Sequence, residues 1–225
     1  QERSYVLALE HAGRLNGMYI GSGKDSFSFR QYDQYLLFGG MSHRTGENRD
    51  GGCYERLKEA AAKLYPESSV AASWSAQDGV TTDEIPFIGR YAPSRPDWYV
   101  AAGFRKWGMS SAMVSAMLIR DMVCGIENPY AGIFSPSRFS AEELPGLALE
   151  GGKAVQGLTK RFFHIPGETA AALERGRGAV AETPQGKAGV YKTEDGRIFR
   201  VQAVCPHMGC ELAWNPDELS WDCPC

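Results

Sequence analysis

The residues best suited to chemistry are a histidine and four cysteines near the end of the sequence. Cys205-Pro-His207 is followed by Cys210, and a second pair, Cys223 and Cys225, closes the sequence. A 2Fe-2S cluster in which one iron takes two thiolates and the other takes two imidazoles needs two loops, each with one Cys and one His. We interpret Cys205, His207 and Cys223 as three of those four ligands. A Cys-x-x-His second loop would place the fourth at position 226, one residue beyond this sequence.

The spacing of the first pair suits this chemistry. In an extended loop residues i and i+2 point to the same side, so Cys205 and His207 can face one cluster while Pro206 stiffens the turn. Imidazoles leave the outer iron less electron-rich than thiolates would, which raises the reduction potential to between roughly −150 and +300 mV. Such a site accepts one electron at a time.

The two loops resemble those of the Rieske protein family, in the branch whose loops each carry one further cysteine. Cys205-Pro-His207-Met-Gly-Cys210 is similar to the first loop of that branch, and Asp-Cys223-Pro-Cys225 is similar to the start of its second. The resemblance covers about residues 176–225. It implies a disulfide between Cys210 and Cys225 that holds the two loops over the cluster.

Two alternatives for these cysteines stay open on the residues alone. Cys and His at short spacing can form a structural zinc site, and the cysteines could simply staple a loop by a disulfide. The remaining two thiols, Cys53 and Cys124, lie in apolar or helical surroundings. We predict that both are ordinary buried residues.

Length and composition limit the class of protein. The chain has 225 residues, of which 43% are hydrophobic and 23% charged, and its formal net charge is −3. That length allows one or two hydrophobic cores, and the charge is not basic enough to predict binding to nucleic acid. No apolar run reaches the roughly 18 residues of a membrane span, and the start, Gln1, is not followed by an export signal. We expect a piece of a longer polypeptide.

Periodic patterns predict a mixed α/β first part. The expected strands cover 4–9, 27–32, 35–38, 70–75 and 98–102. Apolar residues at helical spacing predict helices over 53–65, after the Gly51-Gly52 break, and over 109–123. Residues 126–160 are predicted to be a connector without a regular element. They contain the dipeptides Asn128-Pro129, Ser135-Pro136 and Gly151-Gly152.

The second part is predicted to be a small antiparallel β-domain. Its strands are expected at 179–182, 187–192 and 198–204, with a type I′ hairpin turn at Asp195-Gly196 and a short helix at 167–175. Trp214, Leu219 and Trp221 are expected to pack between the ligand loops. The predicted division is therefore residues 1–140, a connector over 141–175, and an incomplete Rieske-like domain over 176–225.

A strand-to-helix junction lies at Trp98–Ser111, where an apolar strand meets two glycines and a helix start. The free N–H groups of a helix start suit electron-rich oxygen atoms. On local evidence alone, the favoured interpretation of the stretch is a buried strand that turns into a buried helix.

Together with the preceding loop, Asp83-Glu-Ile-Pro-Phe-Ile-Gly89, this junction resembles the C-terminal half of the FAD-dependent amino-acid oxidases, which include glycine oxidase and D-amino-acid dehydrogenases. The resemblance covers about residues 1–140. It implies that seven residues contact the flavin, with backbone N–H groups near the O2 edge where negative charge develops on reduction. These are Gly103, Phe104, Arg105, Lys106, Trp107, Gly108 and Met109. The dinucleotide fingerprint Gly-x-Gly-x-x-Gly is not in this sequence, so most of the FAD site is expected upstream.

One departure concerns the substrate. Relatives in that family often carry an Arg shortly before the Asp-x-x-Pro loop to hold the substrate carboxylate, whereas Trp74 stands at about that place here. Arg105 or Arg90 could take this role, and either could equally be a solvated surface charge. The catalytic residues are therefore not identified.

These observations predict an α+β flavin oxidoreductase part followed by a small antiparallel Rieske-like domain. The parent protein would oxidise an amine or amino acid with FAD and pass electrons through the 2Fe-2S cluster to an acceptor protein or small molecule. We expect this stretch alone to be inactive, colourless and poor in iron. The alternatives are a non-catalytic electron-transfer module with a structural upstream domain, and a cluster-free appendage. We predict no membrane span and a cytoplasmic location.

Overall fold

The computed structural model describes residues 1–23, 26–138 and 144–224, and they form an α+β protein, as predicted. The strands are Glu2–Glu10 (β1), Met18–Ile20 (β2), Ser28–Tyr32 (β3), Tyr35–Arg44 (β4), Ser69–Asp78 (β5), Phe87–Ala92 (β6), Arg95–Ala102 (β7), Gly178–Thr183 (β8), Gly186–Lys192 (β9), Ile198–Val201 (β10), Ala213–Asn215 (β11) and Ser220–Asp222 (β12). The helices are Cys53–Leu64 (α1), Gly108–Cys124 (α2), Ala131–Phe134 (α3) and Leu144–Phe163 (α4).

The chain folds into two compact units. One contains residues 1–2 and 78–152, and the other contains residues 3–77 and 153–225. The second unit thus joins the N-terminal sheet to the C-terminal small sheets. The division at residues 140 and 175 stays a prediction.

A five-stranded sheet with the order β2-β3-β4-β1-β5 holds the main core of the second unit. Tyr5, Leu7 and Leu9 on β1 are fully buried and pack with Leu57 of α1. Burying side chains of this size contributes about 1.5–3 kcal/mol each. The strands predicted from 4–9, 27–32, 35–38 and 70–75 are confirmed, with β4 and β5 longer than expected.

The helix predicted over 53–65 is confirmed as α1. It begins directly after Gly51 and Gly52, whose φ angles of 72° and 79° are in the left-handed region that glycine tolerates best. Leu57 and Ala61 are its buried positions and pack into the core of the sheet. The chain turns sharply before α1, and this turn brings the first N–H groups of α1 close to residues from the far end of the sequence.

The C-terminal part contains a three-stranded antiparallel sheet of order β10-β9-β8 and the antiparallel β11–β12 hairpin. Ala181 and Val190 are buried with Ala170 and Leu173 in a second, smaller core. The strands predicted at 179–182 and 187–192 are confirmed, and the strand predicted at 198–204 ends at Val201. The prediction of a type I′ turn is wrong. Such a turn needs a positive φ at both central residues, and only Gly196 of the Asp195-Gly196 pair has one (87°).

Two further expectations for this region are wrong. Residues 167–175 form turns rather than a helix, because Ala170 donates its N–H to Glu182 O (3.1 Å) and packs into the small core. Leu219 is 55% exposed, because it occupies the β11–β12 turn with a φ of 49°. Trp214 and Trp221 contact each other with ring centroids 5.2 Å apart, and their expected place between the ligand loops stays a prediction.

The predicted connector contains a long helix. No regular element was expected over residues 126–160, but the short helix α3 lies there and the 20-residue helix α4 begins there. Gly151 and Gly152 lie inside it; an interior glycine costs about 1 kcal/mol relative to Ala but does not forbid a helix. Lys160 and Arg161 in its last turn complement the helix dipole.

The first unit is built from the β6–β7 hairpin and α2. The helix predicted over 109–123 and the strand predicted over 98–102 are confirmed. Cys53 is buried as predicted, but Cys124 is exposed, because it ends α2 next to Gly125 in the left-handed region. Among the residues that the structure describes, no helix is long and apolar enough to cross a membrane.

Candidate redox sites

The first candidate ligand loop is a tight turn. Cys205 donates its N–H to Cys210 O (2.8 Å), its carbonyl accepts from Gly209 N (2.9 Å), and the φ of Gly209 is 77°. Val204 and Glu211 form an antiparallel bridge at the base of the loop. The loop is therefore closed by its own backbone hydrogen bonds.

The second candidate loop leaves β12 and lies against the N-terminal sheet. Pro224 contacts Gly46, where an added Cβ would come within 3.1 Å of the Pro224 Cα. Arg44 donates from Nη2 to Pro224 O (3.1 Å). Residues at the end of β4 and just after it thus support the backbone immediately after Cys223.

The two loops bring two sulfurs together. Cys205 and Cys223 share a side-chain hydrogen bond. The pKa of Cys205 is below its usual value, chiefly because the backbone N–H of His207 donates to its sulfur, with smaller help from Cys223 and the Met208 N–H and against some desolvation. Backbone donors around a thiolate are the environment that cluster-bound cysteines need.

His207 is the one imidazole of the first loop, and it is exposed. Within residues 1–23, 26–138 and 144–224, no three Cys, His, Asp or Glu side chains gather closely enough to hold a metal. The structure therefore brings the Cys205 and Cys223 side chains together and leaves His207 exposed, and the assignment of the three as cluster ligands stays a prediction. Cys210 is fully buried; its predicted partner, Cys225, lies outside the described residues.

The predicted flavin segment connects β7 to α2. Gly103 and Arg105 have positive φ angles of 78° and 51°, and Arg105 donates its N–H to Gly79 O (3.0 Å). Trp107 and Met109 are 57% and 87% exposed, and the space beside Gly108 is open. The first-turn N–H groups of an α-helix such as α2 have no intrahelical partners. The segment thus presents backbone donors on an uncovered surface.

Arg138, which sequence analysis missed, holds the loop that precedes this segment; the loop predicted over 83–89 ends at Pro86, because β6 begins at Phe87. Its guanidinium donates to both carboxylate oxygens of Asp83 (2.7 and 2.8 Å) and to Pro86 O (3.1 Å), and lies 4.2 Å from the Phe87 ring centre. It also donates to Ile85 O. No periodic pattern pointed to Arg138, since it lies in an irregular segment far along the chain.

The Asp83–Arg138 pair gives a pH prediction. The hydrogen bond from Arg138 is the main reason that the pKa of Asp83 is lowered to about 2. A lowered carboxyl pKa contributes stability that is present above the unfolded pKa of about 4 and is lost as pH falls towards 2. We expect Arg138→Gln to lower unfolding free energy by about 1–3 kcal/mol at pH 7 and by much less near pH 2. Urea denaturation at both pH values checks this, and an equal loss at both would contradict it.

Gly103 gives a second prediction. A Cβ at Gly103 would lie 2.5 Å from Cγ2 of the buried Thr81, and the positive φ adds strain. We expect Gly103→Ala to cost roughly 1–3 kcal/mol, measured by thermal unfolding. Gly108→Ala is the matched control, because nothing lies within 4 Å of its added Cβ. Similar losses in both variants would show that the Thr81 contact is unimportant.

The two arginines considered for a substrate carboxylate already have protein partners. Arg105 forms ion pairs with Glu84 (2.6 Å) and Glu2 (3.6 Å). Arg90 donates to Pro96 O and lies 5.5 Å from the Tyr99 ring centre. Trp74, at the place where relatives often carry an Arg, is 40% exposed on β5.

A buried polar network, which sequence analysis also missed, joins the β11–β12 hairpin to the N-terminal sheet. Arg3 on β1 donates to Asp222 (2.7 Å), the residue before Cys223. Asp217 in the hairpin turn accepts from the N–H groups of Gly52 and Cys53, both at 3.0 Å, and from Asn48 Nδ2 at 2.7 Å. The hairpin thereby supplies the N-cap that the sequence of α1 lacks.

Tyr5 lies at the centre of this network. Its hydroxyl contacts His43 Nε2 (3.1 Å), Asn48 Nδ2 (3.1 Å) and Asn215 Nδ2 (3.4 Å). Burial is the main reason that the pKa of Tyr5 is raised to about 12. Because Tyr5 and Asn215 are almost completely shielded from water, the network fixes the second candidate loop relative to the sheet.

This fold and these sites define an oxidoreductase class. Residues 1–122 match the family described as DAO, FAD dependent oxidoreductase. That match covers more than half of the chain, and the chain belongs to the FAD-dependent oxidoreductase family.

Two curated relatives are named as iron-sulfur proteins. YhfW of Bacillus subtilis (strain 168), named as a putative Rieske 2Fe-2S iron-sulfur protein, is 36% identical over 233 residues, which cover 100% of this chain and 45% of YhfW. The menaquinol:cytochrome c reductase iron-sulfur subunit of Geobacillus thermodenitrificans is 42% identical over 48 residues, 20% of this chain and 28% of that protein. The chain spans less than half of the length of these curated relatives.

Solved structures give a weaker likeness. Glycine oxidase from Geobacillus kaustophilus has a TM-score of 0.49 and 25% identity, covering 62% of this chain and 39% of that one. Iminodiacetate oxidase from Chelativorans sp. BNC1 has a TM-score of 0.45 and 16% identity, covering 60% and 39%. Both TM-scores are below 0.5, and neither likeness bears on function.

Proposed function

We propose that the protein containing this chain oxidises an amine or amino acid with FAD and passes the electrons, one at a time, through a Rieske 2Fe-2S cluster to an acceptor protein or small molecule. The observation that carries this proposal is the meeting of Cys205 and Cys223 in a unit that also contains the N-terminal sheet of the FAD-dependent oxidoreductase family. We propose the cytoplasm as its location.

At the cluster site, Cys205 and Cys223 would bind the inner iron and His207 would be one ligand of the outer iron. The backbone N–H groups of His207 and Met208 would then donate to the Cys205 thiolate, as they do to its sulfur here. We also propose the Cys210–Cys225 disulfide as a clamp between the loops. The full burial of Cys210 is compatible with such a clamp.

At the flavin site, the residues from Gly103 to Met109 would lie against the isoalloxazine. FAD, when bound, supplies a two-electron acceptor that can release its electrons singly. The backbone N–H groups at the start of α2 would donate to the oxygen-rich edge of the ring, where negative charge increases on reduction. Arg138 would act indirectly, by fixing the Asp83–Pro86 loop beside this segment.

A second candidate function has its own support. The 48-residue similarity to a reductase iron-sulfur subunit favours an electron-transfer module whose upstream part is structural. The two functions differ in one measurable property. Only the first predicts that an amine or amino acid reduces the cluster through bound FAD, whereas both predict the cluster itself.

Cys205→Ser tests the cluster assignment in the protein that contains this chain. We expect iron content and the electron paramagnetic resonance signal of the reduced cluster to fall at least about tenfold, since loss of even an indirect ligand contact costs 10–100-fold in metal affinity. Cys124→Ser is the matched control, because this exposed thiol on α2 belongs to neither loop. Unchanged iron in Cys205→Ser would contradict the assignment.

The same variants separate the two functions. If the chain works with FAD, substrate should still bleach the flavin absorbance in Cys205→Ser, while electrons no longer reach the acceptor. A protein with an intact cluster signal that no amine or amino acid reduces, although dithionite does, would favour the electron-transfer module.

A further inference from the structure

Two cations of the second unit form no ion pair in the part of the chain that the structure describes. The side chains of Arg49 and Lys160 make no hydrogen bond or ion pair with any residue there. The pKa of Lys160 is lowered, first by burial and then by the positive charge of Arg49, with Glu211 acting in the opposite direction. Two like charges held close together, neither in contact with a carboxylate of its own, cost free energy unless a further group compensates them.

These two side chains line two adjoining cavities. One has a volume of about 270 Å³ and is also lined by Arg44, Thr45 and Pro224. The other, of about 290 Å³, is also lined by Arg177 and Trp214. Both volumes suit a small molecule or ion rather than a macromolecule.

Unpaired donors belong to the same cavities. The Trp214 Nε1–H, a donor only, is buried without a partner among the described residues, and so is the hydroxyl of Thr45, which is only 3% exposed. Buried donors of this kind are normally satisfied. Each of them lines a cavity that also contains Arg49 and Lys160.

The nearby carboxylates already have other partners. Glu211 is 4% exposed and already accepts from Lys187 Nζ (2.8 Å) and pairs with His164 Nδ1 (2.7 Å). Glu168 pairs with Arg177 (3.8 Å). Glu47, which also lines the first cavity, is exposed and has a partner of its own. The cavities therefore combine positive charge and donors with few free acceptors.

We propose that Arg49 and Lys160 bind a small oxyanion, of the phosphate or carboxylate class, in these cavities. Its oxygens accept hydrogen bonds from the two cations, with the Thr45 hydroxyl and the Trp214 indole N–H as further donors on either side. Arginine and lysine side chains commonly bind phosphate and carboxylate groups. The site adjoins Glu211 and Pro224, the residues that follow Cys210 and Cys223, and it is independent of the flavin segment.

Inorganic phosphate and malonate are the two probes. The melting temperature of the protein is followed against each anion, with chloride at matched ionic strength as the reference, and phosphate binding is measured by equilibrium dialysis. We expect at least one probe to raise the melting temperature in a saturable way. A response to phosphate alone or to malonate alone identifies the class of natural ligand, and responses to both indicate a general oxyanion site.

Arg49→Gln and Lys160→Gln should each weaken the apparent affinity at least tenfold. Lys63→Gln is the matched control, because it removes an exposed lysine from α1 and leaves both cavities intact. The proposal is overturned if neither probe exceeds chloride, or if Lys63→Gln weakens binding as much as the two cavity variants. Tryptophan fluorescence gives a second readout for any variant of low stability. Saturable quenching of the Trp214 contribution by the probe is expected only when Arg49 and Lys160 are both present.

Discussion

Arg3→Ala lowers the free energy of unfolding by roughly 3–5 kcal/mol, the expected cost of leaving one member of a buried ion pair without its partner. Arg3 and Asp222 have side-chain exposures of only 10% and 3%, and their atoms are 2.7 Å apart. Arg3 also donates to Ser75 Oγ (2.6 Å) and lies 3.6 Å from Glu218. Without the guanidinium, Asp222 keeps a buried charge with Asn215 as its remaining side-chain donor among the described residues. Equilibrium unfolding in urea measures the loss.

Two further variants separate this charge effect from ordinary loss of packing. Arg30→Ala removes an exposed arginine from β3 and should change stability by less than about 0.5 kcal/mol. In Arg3→Met combined with Asp222→Leu, neither charge of the buried pair remains, so much of the stability should return. If the double variant is less stable than Arg3→Ala, the uncompensated charge of Asp222 is not the cause of the loss.

Asp217→Ala is expected to cost roughly 2–4 kcal/mol. The change removes the acceptor of two N–H groups at the start of α1 and of the Asn48 amide, and a lost N-cap alone costs about 0.5–2 kcal/mol. Buried donors left unpaired add about 1–3 kcal/mol. Urea denaturation, together with far-ultraviolet circular dichroism to follow α1, tests both parts of this expectation.

A control variant and the pH dependence show whether the loss in Asp217→Ala comes from the ionised cap. Glu59→Ala changes an exposed acid on the same helix, away from its N-terminus, and it should be nearly neutral. Burial alone raises the pKa of Asp217, but the hydrogen bonds from Asn48, Cys53 and Gly52 outweigh burial and leave the pKa lowered. The stabilisation is therefore present above about pH 4 and is lost as pH falls through the folded pKa. A loss that is the same at pH 2 and pH 7 would contradict an ionised cap.

Local patterns predicted the elements that local chemistry determines. The Gly51-Gly52 break and the apolar spacing after it were enough to find α1, and the apolar run around Tyr5 was enough to find β1. The same method failed for α4, because two internal glycines looked like a break although the helix tolerates their cost. It failed for residues 167–175 because packing of Ala170 and Leu173 outweighed the helix preference of alanine.

In the candidate sites, too, residues with a local sequence pattern could be predicted and long-range pairs could not. The spacing Cys205-x-His207 and the later Cys223 could be read directly, because metal ligands are specified by residue type. The pairs Arg3–Asp222 and Asp83–Arg138 could not, because their members are 219 and 55 residues apart and a charged residue is usually solvent-exposed. Long-range pairs of this kind require the fold before they can be found.

The cap that Asp217 provides to α1 has a consequence for biosynthesis. Asp217 and Cys53 are separated by 164 positions, and ribosomes add about 5–20 residues per second, so the cap leaves the ribosome roughly 10–30 s after the helix that it completes. The interval between synthesis of Arg3 and synthesis of Asp222 is longer still, because 219 positions separate them. During this interval the nascent N-terminal sheet has an uncapped helix and an unpaired arginine. Residues made late thus complete elements made early, and synthesis of the β11–β12 hairpin, rather than emergence of the sheet, sets the time at which this unit becomes stable.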